Sequence, residues 1–416
     1  MYCQGSRRAG NELNPNEKNE PYELKGGVLQ MRWIKAIKRR ILKLSKQIVG
    51  ILPLKKKKVL FVSYWGKGYG DEGKAITEEL LKAKTKLNII WAVKREYKDT
   101  LPKGVRYVEY NTRKYMFHLM TAKVWLDNAR KSSDIKKRPG QYYIHLWHGA
   151  YPLKKIEKDV EDHLSPKYIE NAKHDSEMAN LIISGSAFFT EIIRRAFWYN
   201  GEILECGSPK LDRLFSNSVH MENAVRSRFG ISLEKKIVLY APTFRVDYNT
   251  DRYDMDYNQI LDALEKQSGT PWVMLIRLHP NVSSKSGFLE YSERIMNATD
   301  YPDLYELIPV ADIIITDYSS IMFEAGIIEK PVFLYMSDLD EYKVDRGFYF
   351  NLEDLPFPIA QTNDEMVNRI QSFDLESYRN NINTFMETIH PYETGTAAKA
   401  IAERVIAVTS GNYVFD

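Results

Sequence analysis

Cysteine is nearly absent from this 416-residue chain, which contains only Cys3 and Cys206. Neither belongs to a Cys-x-x-Cys pair, so the sequence indicates neither a zinc site of that kind nor a disulfide framework. Long apolar runs are missing as well, because none reaches the roughly 18 residues that a transmembrane helix needs. The first 28 residues are polar and lack an apolar h-region, so we expect no signal peptide.

The signature motifs of common hydrolases are also missing. No His-Glu-x-x-His, Cys/His cluster or Gly-x-Ser-x-Gly occurs, which leaves zinc hydrolases and triad hydrolases without support. Gly68 to Lys74 matches Gly-x-x-x-x-Gly-Lys, but Ala75 replaces the Ser or Thr that holds Mg²⁺. A glycine-rich loop that shapes a cleft is therefore a better interpretation than a P-loop. Asp338-Leu339-Asp340 resembles a metal-binding Asp-x-Asp, but we interpret it as a solvated loop and predict no metal site.

Acidic residues are absent from residues 30–58, which contain eleven Lys or Arg. Subtracting these eleven from 59 basic residues leaves 48 against 55 acidic residues elsewhere, so a general nucleic-acid-binding surface is not predicted. Apolar residues recur at helical spacing between residues 30 and 52. A basic amphipathic helix is typical of binding to an anionic membrane surface. The alternative is a helix packed on the protein with a solvated basic face.

The rest of the chain alternates short apolar runs with segments of helical period. This alternation starts at residue 59 and begins again after residue 216. It is typical of parallel sheets covered on both faces, so we predict an α/β protein with two Rossmann-type halves facing a central cleft. The predicted division is a disordered tail over 1–29, the basic helix over 30–58, an N-terminal acceptor domain over 59–215 and a C-terminal donor domain over 216–416.

A polar turn follows the apolar run Ile313 to Ile315, where a buried strand is predicted to end. Asp317 comes first, and Ser319 and Ser320 then open an apolar helix. Free N–H groups at a helix N-terminus favour anions, and open α/β sheets bind ligands at this edge. The segment therefore predicts a phosphate site, the alternative being an ordinary helix capped by serine.

Histidines follow two other predicted strands. His148 comes at the carboxyl end of a first-half strand, where a general base would face the cleft. Arg277 and His279 end a second-half strand and point the same way, which suits a pyrophosphate. The alternatives are a structural histidine bonded to a carbonyl and a surface arginine before a His-Pro turn.

Taken in chain order, these segments resemble the CDP-glycerol glycerophosphotransferase family, the teichoic acid primases and polymerases. The resemblance covers about residues 59–400. The matching pieces are Phe61–Tyr69, Asp127-Asn128, Trp147-His148-Gly149 with Leu153-Lys154-Lys155, Gly207–Asp212, Tyr240–Arg245, Arg277–His279, Thr316–Phe323 and Arg346–Tyr349.

The resemblance implies a GT-B-like fold and transfer of glycerol phosphate from CDP-glycerol to a hydroxyl of a lipid-linked acceptor, with release of CMP. It implies that His148 is the catalytic base, that no cofactor takes part and that a metal is optional. The residues that would bind CDP-glycerol are Trp147, Gly149, Lys210, Pro242, Thr243, Arg245, Arg277, His279, Asp317, Ser319, Ser320 and Glu324.

Two departures from the family pattern leave the donor open. The family's Trp-His-Gly-Thr-Pro is one residue longer here, ending at Pro152, and Glu324 stands where Asp is common. CDP-ribitol is therefore an alternative donor, and a sugar-nucleotide glycosyltransferase on the same fold is an alternative activity. Together with the basic helix, the resemblance implies a peripheral protein on the cytoplasmic face of the cell membrane.

Overall fold

The computed structural model describes residues 52–216, 219–243, 255–278, 289–339 and 347–413. Two parallel β-sheets form the centre of this part of the chain, which confirms the predicted α/β class. The predicted tail, most of the basic helix, Arg245 and His279 lie outside the described residues. Within the described ranges, every helix is too short or too polar to cross a bilayer.

The first sheet has seven strands in the order β3-β2-β1-β4-β5-β6-β7, all parallel. Its central strands are apolar along their length, because side chains on both faces are covered. The strands are β1 (Lys55–Val62), β2 (Asn88–Val93), β3 (Arg106–Glu109), β4 (Ala122–Asp127), β5 (Tyr142–His145), β6 (Leu181–Ser184) and β7 (Glu202–Glu205).

The second sheet has six parallel strands in the order β10-β9-β8-β11-β12-β13. It is also covered on both faces by apolar clusters. The strands are β8 (Lys236–Tyr240), β9 (Trp272–Ile276), β10 (Ile295–Asn297), β11 (Ile313–Thr316), β12 (Val332–Tyr335) and β13 (Ile359–Ala360).

In each sheet the strand that comes first in the chain, β1 or β8, lies inside the sheet. The next two strands of the chain lie on one side of it, and the remaining strands lie on the other side. This reversal is the switch point of a doubly wound fold, and ligands bind at the carboxyl ends of the strands beside it. The carboxyl ends of β1 and β4 in the first sheet and of β8 and β11 in the second mark the two candidate edges.

Helices connect the strands and close the chain. Several begin with a side-chain cap, such as Ser165, Ser186 and Thr362, each of which accepts a bond from a first-turn N–H. The helices are α1 (Asp71–Lys82), α2 (Arg113–Thr121), α3 (Pro166–Met178), α4 (Ala187–Ala196), α5 (Val219–Phe229), α6 (Tyr257–Ser268), α7 (Leu304–Leu307), α8 (Ile321–Gly326), α9 (Asn363–Gln371), α10 (Leu375–Ile389) and α11 (Ala397–Ser410).

The last two helices pack on different sheets. Helix α10 contributes Ile382 and Phe385 to the core beside the second sheet, whereas α11 contributes Ile401 and Val405 to the core of the first. Between them, the Glu393 carboxylate accepts the Ser208 N–H at 3.0 Å from each oxygen. Helix α11 therefore packs on the first sheet, although it follows the predicted domain boundary at 215/216. The predicted domain limits stay a prediction.

Strand β1 begins at Lys55, four residues before the predicted start at Val59. Lys55 to Lys57 are exposed, but Lys58 is buried and its ammonium donates to the Thr121 hydroxyl at 2.6 Å. The apolar pattern did not predict this start, because the first four residues of the strand are lysines and only Lys58 is buried. Residues 55–58 therefore belong to the sheet rather than to the predicted basic helix.

Packing requires one glycine of the Gly-x-x-x-x-Gly-Lys match. Gly73 lies inside α1, and a Cβ atom there would stand 2.8 Å from the buried Trp91 ring. Lys74 forms a 2.5 Å ion pair with Asp303, which comes from the second half. The Gly-Lys pair thus serves close helix packing and a contact between the halves.

We expect Gly73→Ala to lower the free energy of unfolding by about 1–2 kcal/mol. Overpacking against Trp91 costs about 1–3 kcal/mol, which exceeds the gain of up to about 1 kcal/mol from better helix propensity. Denaturant unfolding measures the change. The control is Gly70→Ala, since a Cβ atom on Gly70 has open space around it; equal midpoints for the two variants would contradict the packing argument.

Candidate active site

Trp147 and His148, two of the predicted site residues, lie at an edge of the first sheet beyond the carboxyl ends of β1, β4 and β5. Tyr64 follows β1, Asn128 follows β4, and Trp147 and His148 follow β5. Because these three strands are adjacent and parallel, the residues that follow them meet at one edge. This edge forms one wall of the candidate site.

His148 is held by a backbone carbonyl. Its Nδ1 atom lies 3.0 Å from the Asn128 carbonyl oxygen, which accepts only, so Nδ1 carries the proton and Nε2 keeps its lone pair. Burial lowers the pKa of His148 to about 4, while Asn128 and the charge of Asp71 act in the opposite direction. The ring is therefore neutral at pH 7, as a general base must be.

The ring of Trp147 stacks on the ring of His148. The two rings stack with centroids 4.4 Å apart, and Trp147 adopts a left-handed backbone with φ of +53°. The buried Arg130 guanidinium also lies 5.4 Å from the centre of the Trp147 ring. Arg130 is fixed in turn by Glu157 at 2.7 Å and Asp175 at 3.3 Å. The strained Trp147 is thus over-determined by its surroundings, as at many active sites.

Asn128 connects His148 to the loop after β1. Its side-chain amide donates to Asp71 at 2.7 Å, and its Oδ1 accepts the Tyr64 N–H at 2.8 Å. Asp71 opens α1 with a left-handed φ of +58°. The sequence predicted no role for Asp71, although its place just after the first strand of the sheet was a usable signal.

Lys210 lies in a buried cluster that joins the two halves. Its ammonium is 3.7 Å from Asp71, 3.9 Å from Glu72 and 3.7 Å from Glu324. It also lies 5.3 Å from the Tyr305 ring. Burial alone would lower the pKa of Lys210, but Tyr305 and the three carboxylates outweigh it and hold that pKa well above its ordinary value. Lys210 therefore stays charged, and it reaches from the first half to the second.

Neighbouring contacts extend this junction. The Glu72 carboxylate accepts the Ser208 hydroxyl at 2.7 Å and the Lys210 N–H at 2.9 Å. Arg213 pairs with Glu78 of α1 at 2.9 Å. Among the described residues no group of three or more His, Cys, Asp or Glu is arranged to hold a metal ion. The carboxylates of Asp71, Glu72 and Glu324 all lie within 4 Å of the Lys210 ammonium.

In the second half, Asp317 organises the turn after β8. Its carboxylate accepts the Thr243 N–H at 2.8 Å and the Thr243 hydroxyl at 2.5 Å, while Pro242 beside them is buried. Asp317 also accepts the Tyr318 N–H at 2.7 Å. The structure therefore places Asp317 as the group that shapes the wall formed by Pro242 and Thr243.

Ser319 and Ser320 are half-buried at the start of α8, as predicted. Helix α8 has six residues, which is shorter than the predicted helix. The Ser320 hydroxyl donates to Glu324 at 3.4 Å, and Glu324 also accepts the Tyr305 hydroxyl at 3.2 Å. Ser320 is thereby connected through Glu324 to Lys210.

Arg277 follows β9, and its guanidinium donates hydrogen bonds to backbone carbonyls of the protein. One terminal nitrogen donates to the Tyr301 carbonyl and, at 3.3 Å, to the Ala298 carbonyl. Arg277 keeps its predicted place at the sheet edge. Its predicted part in binding a pyrophosphate stays a prediction.

Two further segments of the family pattern meet in space. The segment after β5 pairs with residues 347–349 across the halves, through Lys155 N–H to Gly347 at 3.1 Å and Tyr349 N–H to Leu153 at 2.8 Å. The Tyr349 hydroxyl then donates to Asp159 at 2.7 Å. These pieces lie almost 200 residues apart in the chain, so their pairing could not be read from the sequence.

The matches to known proteins agree with this architecture. The family described as CDP-Glycerol:Poly(glycerophosphate) glycerophosphotransferase matches residues 44–407. A teichoic acid poly(glycerol phosphate) polymerase of Bacillus spizizenii is 31% identical over 380 residues, which cover 88% of this chain and 96% of that protein. A teichoic acid glycerol-phosphate transferase of Staphylococcus aureus is 30% identical over 362 residues, covering 83% and 92%.

A solved structure gives the same result for the fold. The wall teichoic acid polymerase TagF, in a variant soaked with CDPG, superposes with a TM-score of 0.78 at 28% identity. The superposition covers 95% of this chain and the whole of that one. The predicted GT-B-like architecture is confirmed.

We expect Lys210→Met to lower the free energy of unfolding by about 3–5 kcal/mol. The substitution would leave Asp71, Glu72 and Glu324 buried together without their cation, and breaking a buried ion pair in this way is costly. Denaturant unfolding without any nucleotide is the measurement, with the exposed Lys399→Met as control. An unfolding midpoint equal to that of the control would show that Lys210 does not join the halves.

Proposed function

The chain belongs to the CDP-glycerol:poly(glycerophosphate) glycerophosphotransferase family, and we propose that His148 is the base with which it transfers glycerol phosphate to an acceptor hydroxyl. The protein is a CDP-glycerol glycerophosphotransferase of teichoic acid synthesis. The observation that carries the assignment of the base is the bond between His148 Nδ1 and the Asn128 carbonyl. It leaves a neutral, oriented Nε2 at the edge where the sheets of this fold bind ligands.

The proposed reaction is a single displacement at phosphorus. The acceptor oxygen attacks the β-phosphorus of CDP-glycerol, its proton passes to Nε2 of His148, and the bond between the β-phosphorus and the bridging oxygen breaks. CMP leaves with the electron pair of that bond. A neutral imidazole suits this proton transfer, whereas an imidazolium would block it.

The second half is proposed to hold the donor. The half-buried Ser319 and Ser320, together with the Pro242–Thr243 turn that Asp317 shapes, surround the carboxyl ends of β8 and β11. Hydroxyls and backbone N–H groups at this position suit phosphate oxygens. By the family resemblance, Trp147, Gly149, Arg245, Arg277 and His279 complete the donor site.

Lys210 and Glu324 are proposed to act on the donor from within the buried cluster. Both side chains are almost fully buried, and each contacts the other at 3.7 Å. A buried ammonium at this seam places positive charge near the cleft without reorganisation when negative charge moves onto CMP. Glu324 also accepts a hydrogen bond from the Ser320 hydroxyl at 3.4 Å, which connects the cluster to the proposed donor side.

The acceptor and the location are also proposals. We infer a lipid-linked acceptor, with the protein bound peripherally at the cytoplasmic face of the membrane. The support is the basic segment 30–52, which contains seven Lys or Arg and no acid. A cytosolic nucleotide donor and a membrane-bound acceptor would meet at such a surface.

Release of CMP from CDP-glycerol tests the reaction, with CDP-ribitol and a UDP-sugar assayed in parallel on a lipid-linked disaccharide. We expect turnover of CDP-glycerol, and a kcat about 10²–10⁴-fold lower for His148→Asn, because asparagine can still donate to the Asn128 carbonyl but cannot take the proton. Turnover of CDP-ribitol alone would identify ribitol, and not glycerol, as the polyol of the donor. Turnover of the UDP-sugar alone would establish the glycosyltransferase alternative.

The control for this variant is His118→Asn, which changes a histidine on α2 near Lys58, away from the cleft. It is expected to keep full activity. Full activity of His148→Asn as well would remove His148 from the role of base.

Deletion of residues 30–52 tests the membrane proposal. The truncated protein is expected to stop sedimenting with vesicles rich in anionic lipid, because roughly 1 kcal/mol of attraction is lost for each basic residue near the surface. CMP release from CDP-glycerol with a water-soluble acceptor serves as the control for folding. Unchanged sedimentation would place membrane binding elsewhere in the chain.

A further inference from the structure

Trp65 is an exposed tryptophan that follows Tyr64, a neighbour of the proposed base, in the chain. Among the six described tryptophans it is the exposed one, at 40% of its full accessibility, whereas Trp91, Trp125, Trp147 and Trp272 are buried. Its indole ring therefore offers a rigid apolar face to a ligand.

The turn that presents Trp65 is strained and firmly held. Tyr64, Trp65 and Gly66 have consecutive left-handed φ angles of +41°, +55° and +82°. Non-glycine residues rarely adopt such angles, and they persist where the surroundings over-determine them. Here the Gly66 N–H donates to Ser63 at 2.8 Å, and the Lys94 N–H donates to the Gly66 carbonyl at 2.8 Å.

Space also restricts this turn. A Cβ atom on Gly66 would lie 2.6 Å from the side chain of Tyr110. Only glycine fits there, so the backbone conformation of the turn that contains Trp65 is restricted at Gly66.

The turn and the base are fixed by the same residue. Asn128 accepts His148 Nδ1–H with its carbonyl oxygen and the Tyr64 N–H with its side-chain oxygen. The ring of Tyr64, next to Trp65 in the chain, lies 5.7 Å from the ring of His148. The position of Trp65 is therefore tied to the position of the group that must receive the acceptor's proton.

We propose that Trp65 forms an acceptor subsite, where its indole face packs against the C–H groups of the carbohydrate or polyol that bears the attacking hydroxyl. This inference rests on the proposed function, which places the acceptor hydroxyl at His148. Rigid aromatic side chains supply contact area at a low cost in conformational entropy, and the carbons next to a hydroxyl supply the matching apolar groups.

Two acceptors distinguish the possible sources of these C–H groups. Both are water-soluble short-chain analogues, one ending in the disaccharide and one ending in a single glycerol phosphate unit. A Trp65→Ala effect confined to the first assigns the subsite to a sugar ring, and an effect confined to the second assigns it to the polyol. Either result supports the subsite.

The measurements are the Kd of each analogue by calorimetry without donor, and KM in the CMP-release assay. We expect Trp65→Ala to raise the Kd and KM of at least one analogue about fivefold, and Trp65→Phe to restore both to within about twofold. The KM of CDP-glycerol should stay unchanged. Tyr107→Ala is the matched control, because Tyr107 is also 40% exposed but lies on β3.

Unchanged Kd values for both analogues would overturn the subsite. So would an effect seen only with acceptor embedded in vesicles, which would make Trp65 an anchor in the membrane interface. Absence of CMP release by the unmodified protein would contradict the proposed function instead, and the calorimetric Kd would still decide the role of Trp65.

Discussion

The structure depends on one buried ammonium. Lys210 lies among carboxylates that come from helices of both halves, Asp71 and Glu72 from α1 and Glu324 from α8. Removing these charges from water is expensive, and the cost is met only while all partners stay within reach of each other. The orientation of the two halves is therefore coupled to the charge cluster. Any opening of the cleft at this point would have to rehydrate several charges together.

The two walls of the candidate site are attached to that cluster. On the first wall, Asp71 is bonded to Asn128, whose carbonyl orients His148. On the second wall, Glu324 is bonded to Ser320 at the start of α8. A short chain of contacts thus runs from the proposed base to the proposed donor side. Preorganisation of this kind lets a site stabilise developing charge without moving its own dipoles during the reaction.

Much of the fold could be predicted from local patterns. The apolar run Ile313 to Ile315 predicted strand β11, which ends one residue later at Thr316, because three consecutive isoleucines between polar neighbours are typical of a buried strand. The start of strand β1 was predicted four residues too late, because its first residues, Lys55 to Lys58, resemble a surface segment in the sequence. His148, Ser319 and Ser320 were predicted because each follows a recognisable strand. The roles of Asp71 and Asn128 were missed because their bond joins residues 57 positions apart, and no local pattern reports such a contact.

The sequence by itself determined the class of fold, the family and the residue types available at each strand end, since these depend on local periodicity and on ordered motifs. The tertiary structure decided what those residues do for one another. It placed Lys210 among carboxylates of both halves, made Asp317 the support of the Thr243 turn, and paired residues 153–155 with 347–349. The physical reason is that charge burial and hydrogen bonding depend on distance in space, and distance in space is set by how the two sheets pack together.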